Sequence, residues 1–98
     1  MIVRLTAEAA SDLEANADRI AQGNPARAVT FVEELRAKCL GLLPFPDRFP
    51  LVPRYEAHGV RHCVHGNYLI FYRVEEGEVG VIHILHGAMD YAGVLFSQ

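Results

Sequence analysis

The sequence predicts a single α+β domain of element order β-α-α-β-β-β-α, two layers deep, with a helical hairpin packed on an antiparallel sheet. Three observations predict it. Two apolar stripes at helical spacing follow one another in the first half, separated only by Gly23-Asn24-Pro25. Three β-rich runs come next, divided by short turn signals. The chain has 98 residues, room for one domain that buries about 65% of its unfolded surface.

The elements follow in order. Ile2–Leu5 is a short apolar run and predicts a strand. Thr6 fits a helix N-cap, and Glu8 in the first turn complements the dipole. Ala10, Leu13, Ala17, Ile20 and Ala21 form the first helical stripe, and Gly23 suits a left-handed helix end. Asn24 restarts a helix as N-cap, with Pro25 at the first helical position, where its missing N–H costs nothing. Ala28, Phe31, Val32, Leu35, Cys39 and Leu42 form the second stripe. Helices joined this tightly make an αα-hairpin.

Pro44, Pro46, Pro50 and Pro53 then exclude a helix or central strand, so the chain to Gly59 reads as a rigid irregular loop. Val60–His65, Tyr68–Val74 and Val79–His86 read as an antiparallel meander, with hairpin turns at Gly66-Asn67 and Glu75–Glu78. Gly87 ends the last strand, and Ala88, Ala92, Leu95 and Phe96 fit a short terminal helix weakened by Gly93. Helices segregated to one sheet face make the two-layer arrangement. Tyr68, Ile70 and Tyr72 share one face of the middle strand, while Leu69, Phe71 and Arg73 share the other. That second face, and the sheet edge, are expected to be open to a partner.

Composition bounds the function. A 51% hydrophobic, 21% charged chain with no low-complexity run is neither disordered, collagen-like nor a coiled coil. No uncharged stretch reaches the roughly 18 residues of a membrane span. The start at Met1 lacks signal-peptide order, so the expected location is cytoplasmic, away from membranes. The net charge of −3 argues against sequence-specific nucleic-acid binding by the chain alone. Residues 45–73 are nonetheless locally basic, with Arg48, Arg54, Arg61 and Arg73 against Asp47 and Glu56. Eight of the nine bases are arginines, suited to planar contacts with carboxylates and phosphates.

The histidines His58, His62, His65, His83 and His86 follow no metal-binding spacing, and no metal or other cofactor is expected. Ser11 and Ser97 lie outside any nucleophile motif, and Cys39 and Cys63 read as reduced core thiols. Arg61 and Arg73 are each six residues from Asn67, and so are expected as near cross-strand neighbours. Like charges side by side call either for pairing within the chain, with Glu56, Glu75 or Asp90, or for an anion or acidic-partner site.

Several segments together resemble the ParE branch of the RelE/ParE toxin superfamily: Asn24–Ala28, Pro46–Pro50, Gly59–Arg61, Asn67–Val74 and Ile84–Asp90. The resemblance covers nearly the whole chain in order. It implies the β-α-α-β-β-β-α fold and the toxin role of a type II toxin–antitoxin pair, neutralised by a ParD-like antitoxin. ParE-type members act on DNA gyrase; RelE-type members cleave mRNA on the ribosome. Met89 stands where the family motif has Arg, which removes a cation that a nuclease needs at the scissile phosphate. The leading expectation is a non-enzymatic toxin that binds and inhibits gyrase. The alternatives are a ribosome-dependent mRNA endonuclease and a degenerate toxin that only binds its antitoxin. Arg61, Asp90, Leu95 and Phe96 are the expected target contacts, and Arg48, Arg54, Arg61 and Arg73 the expected antitoxin contacts.

Overall fold

The computed structural model describes residues 1–87 and 90–96. Strand β1 (Ile2–Leu5) leads into α1 (Ala7–Gly23) and α2 (Pro25–Leu40), then β2 (Arg61–His65), β3 (Tyr68–Glu75), β4 (Glu78–His86) and α3 (Tyr91–Phe96). The α+β class and the element order are those expected from the sequence.

The caps explain the helix boundaries. The Thr6 hydroxyl accepts from the Ala9 N–H, and the Asn24 side chain accepts from the Arg27 N–H. The Asn24 N–H also closes α1 by donating to the Ile20 carbonyl, so one residue ends one helix and starts the next. Gly23 is not left-handed as expected; it is the last helical residue, and extended Asn24 makes the break. The buried positions of α1 are Ala9 and Leu13, while Ala10 is exposed.

The sheet order is β1-β4-β3-β2. The meander β2-β3-β4 is antiparallel, but β1 pairs parallel with β4, so the sheet is mixed. The two helices carry the chain away from β1, and the strand that returns beside it points the same way. Gly66 at φ 58° occupies the first position of the two-residue β2–β3 turn, a conformation that suits glycine.

An irregularity between Phe71 and Tyr72 shifts the β3–β4 register: Tyr72 faces Val81, yet Phe71 faces His83, leaving Ile82 as the extra residue. The bulge moves the inward side chains of β4 from Val79 and Val81 to Ile84.

The main core lies between the helical hairpin and the sheet. Phe31 and Leu35 of α2 meet Leu13 of α1 and Ile70, Tyr72, Val81 and Ile84 of the sheet. The second sheet face is not open, contrary to the sequence expectation. Val52, Val60, Phe71 and Leu85 form a second buried cluster there, joined by Tyr55, Tyr91, Leu95 and Phe96. The proline-rich segment folds back across this face and α3 completes the cover, because Phe71 and Leu85 on alternate positions would otherwise meet water.

Candidate partner-binding surfaces

β1 covers only residues 78–81 of the nine-residue β4. Side chains at and after the start of α1 take over along the rest of that edge. The Thr6 hydroxyl donates to the Ile82 carbonyl at 3.2 Å, and the Asn16 amide donates to the Ile84 carbonyl at 3.2 Å. Asp12 Oδ2 accepts from the Ile84 N–H at 3.0 Å and lies 2.7 Å from His83 Nδ1. Backbone groups that a longer β1 would have paired are thus satisfied by three side chains. The sequence reading did not single out Asp12 or Asn16. Their signal was available: polar residues four apart, bordering an apolar helical stripe.

The four arginines expected at the antitoxin surface do not form one patch. Arg61 faces Tyr72 rather than Arg73, because the turn closes on His65 and Tyr68 and puts Arg73 one step further along. Adjacent residues point to opposite faces, so Arg61 and Arg73 are separated by the sheet. The Arg61 guanidinium donates to the carbonyls of Phe49 at 2.7 Å and Asp47 at 3.2 Å, with the Asp47 carboxylate 3.6 Å away. It clamps the proline-rich segment to β2. Tyr72 does the same from the neighbouring strand, its hydroxyl donating to the Pro46 carbonyl at 2.7 Å. Burial pushes the Tyr72 phenol up to about 12.

Arg73 donates to the His58 carbonyl, tying the same segment down from the other face. Arg48 lies over the Phe49 ring, 4.8 Å from its centroid, with Lys38 near the same ring. Arg54 is exposed, with φ 73°. The Tyr55 N–H bonds to the Val52 carbonyl across Pro53-Arg54, so Arg54 occupies a turn position that ordinarily takes glycine.

The expected target contacts divide similarly. Asp90 precedes α3 and accepts from the Gly93 N–H at 3.3 Å, a capping contact. Leu95 and Phe96 turn inward onto the second cluster, and Phe96 stacks on Tyr55 with ring centroids 4.1 Å apart. Val94 is the large apolar residue that α3 leaves exposed. Met89 and Ala88 lie outside the described residues.

The histidines are dispersed. His83 is held by Asp12, His65 lies 3.0 Å from the Glu34 carboxylate, and His86 packs edge-on against Tyr68. Burial pulls His62 down and raises both Cys63 and Cys39, the latter to about 11, so both thiols stay protonated at neutral pH. Among the described residues no group of His, Cys, Asp and Glu is placed to hold a metal ion.

The outer face of the helical hairpin carries an apolar groove. Ala17 and Ala21 of α1 and Ala28, Val29 and Val32 of α2 line it, with Asp18 and Glu33 also at its sides. Small residues on both helices leave the depression, and Val29 is 62% exposed in it.

The family model described as ParE toxin of type II toxin-antitoxin system, parDE, matches residues 3–91. The chain belongs to this ParE toxin family. A solved chain titled "Chromosomal ParDE TA system from P. aeruginosa" has the same fold, with a TM-score of 0.75 at 24% identity. The match covers 88% of this chain and 95% of that one. No curated protein matches the chain. The ParE match ends at Tyr91, so most of α3 lies beyond it. Among the described residues no helix is long and apolar enough to cross a membrane.

Proposed function

We propose that this ParE-family chain acts by binding rather than by catalysis, inhibits DNA gyrase, and is held inactive in the cytoplasm by a ParD-like antitoxin. The observation that carries the binding reading is what its reactive side chains are doing. Arg61, Arg73, Asp12 and Tyr72 spend their hydrogen bonds on backbone groups of their own fold. A nuclease site needs such groups aimed outward at a phosphate.

The groove between α1 and α2 supports the antitoxin part of the reading. An amphipathic helix of the antitoxin lays small and branched apolar side chains against Ala17, Ala21, Val29 and Val32. The carboxylates Asp18 and Glu33 select basic residues on the flanks of that helix. Acidic residues further along the tail reach Arg48 at the loop end of the hairpin. Arg54 and Arg73 lie towards the second sheet face, so a tail reaches them only by wrapping around the sheet edge.

The test uses purified protein with gyrase and relaxed plasmid. Inhibited supercoiling, or cleaved DNA trapped with gyrase, is the expected result, and mRNA on programmed ribosomes stays intact. Addition of the antitoxin encoded by an adjacent frame restores supercoiling. Specific mRNA cleavage on the ribosome would overturn the reading in favour of an endonuclease. Binding to the antitoxin with no effect on gyrase or translation would instead mark a toxin that has lost its target.

A further inference from the structure

We propose that the recess between the bend of the helical hairpin and the β2–β3 turn binds a small oxyanion, a carboxylate or phosphate group, through Arg19, Arg27 and Tyr68. Ile20 and Phe31 wall the recess, and Arg27, His65, Gly66, Asn67 and Tyr68 complete it. Its volume is about 250 Å³. That lies below the ~300 Å³ at which pockets begin to take drug-sized molecules, and suits one anionic head group.

The balance of donors and acceptors gives the sign of the ligand. Arg19 reaches the Tyr68 hydroxyl at 3.0 Å and the Asn16 side-chain oxygen at 2.8 Å, both neutral groups. Among the described residues Arg19 forms no ion pair. The Tyr68 oxygen accepts from Arg19, and its own proton finds no acceptor among the described residues. Arg27 forks onto Glu34 at 2.7 and 3.2 Å, and the same carboxylate lies 3.0 Å from His65. One carboxylate is therefore shared between a guanidinium and an imidazole, and both contacts, Arg27 more than His65, hold its pKa below the ordinary value. Arg19, Arg27 and Glu34 sum to +1, in a chain whose net charge is −3.

The anion fits where this surplus of donors converges. It accepts from the free Tyr68 proton and from the unused guanidinium N–H groups of Arg19, charge-assisted contacts that outweigh neutral ones. The β2–β3 turn brings Gly66 and Asn67 to the rim. Phe31, 4.9 Å from the Tyr68 ring, fixes the phenol in place.

The experiment titrates the ¹⁵N-labelled full chain with inorganic phosphate and, separately, with acetate, at constant ionic strength in chloride. The Gly66 and Asn67 amides and the Nε–H signals of Arg19 and Arg27 are expected to shift and saturate. The amide of Gly77, in the acidic β3–β4 turn, stays still. Arg19→Gln weakens the response about tenfold, the loss of one charge-assisted bond, and Arg27→Gln weakens it by leaving the Glu34 carboxylate uncompensated beside the recess. Both residues are exposed, so a matching thermal transition shows that each variant folds. Saturation by phosphate alone identifies a phosphate group as the ligand. Saturation by acetate, with or without phosphate, identifies a carboxylate such as a partner protein's side chain brings. No saturation by either anion, equal shifts at Gly77, or curves unchanged in both variants would overturn the site.

Discussion

Arg61→Ala is the most informative single change, because the sequence reading gave Arg61 a role in binding while its contacts lie within the fold. Its guanidinium, 23% exposed, donates to the Phe49 carbonyl at 2.7 Å and the Asp47 carbonyl at 3.2 Å. A hydrogen bond from a charged donor contributes about 1.5–3 kcal/mol. Partial exposure places the shorter bond near the low end and the longer one below it. The Asp47 carboxylate, itself 76% exposed, adds at most about 1 kcal/mol. The substitution therefore costs about 2–3 kcal/mol, which lowers the melting temperature of a chain this size by roughly 10–20 °C. Urea unfolding supplies the value. Hydrogen exchange supplies the location, since the Val52 N–H bonded to the Val60 carbonyl exchanges faster once the segment is unclamped. Arg48→Ala, which loses only a ring contact, costs about 0.5–1 kcal/mol and leaves that amide protected. An Arg61→Ala protein as stable as its parent that still loses antitoxin or gyrase binding would refute the clamp and return Arg61 to the interface.

Asp12→Ala should cost about 2–4 kcal/mol, because it orphans the Ile84 N–H and removes the partner of His83. Asp12→Asn, which keeps an acceptor, should cost about half of that, and equal losses in urea would show that the carboxylate does not pair the β4 edge. Tyr72→Phe should cost about 1–2 kcal/mol at neutral pH by leaving the Pro46 carbonyl without its donor. The folded phenol titrates at about 12 against an ordinary 10, so its contribution is complete below pH 10 and is lost as pH rises through 12. The stability gap between parent and variant should therefore narrow over that window, and a constant gap would show that the phenol is not coupled to folding. Arg54→Gly should be neutral to about 1 kcal/mol stabilising in thermal melts, since glycine relieves the left-handed strain at φ 73° but adds freedom to the unfolded chain. A clear destabilisation would mean that the Arg54 side chain holds the turn. Phe96→Ala should cost about 1–2 kcal/mol by unstacking Tyr55; unchanged stability with lost toxicity would make Phe96 a target contact.

Much of the fold was legible because its causes are local. Thr6 and Asn24 cap their own helices, Pro25 starts one, and Gly66 makes a tight hairpin turn, each within a few residues. Alternation along Tyr68–Arg73 assigned each side chain to a sheet face before any partner was known. The site was less legible because its causes are distant. Arg61 was visible only as one more charge in a basic stretch, and nothing along the chain shows that it reaches the Phe49 carbonyl. The bulge at Ile82 resets the alternation of β4 through pairing with β3, which no pattern within residues 78–86 reveals.

The sequence by itself determined the class, the order of elements and most of the core, since periodicity and capping depend on neighbours in the chain. Only the tertiary structure decided that β1 runs parallel to β4 and that Asp12 and Asn16 complete its edge. It also covered the second sheet face with residues 52–58 and α3, and drew Arg27, His65 and Tyr68 around one recess, with Arg19 on the Tyr68 hydroxyl. Such contacts join residues dozens of positions apart, and buried backbone groups and apolar faces select them only once the sheet has formed.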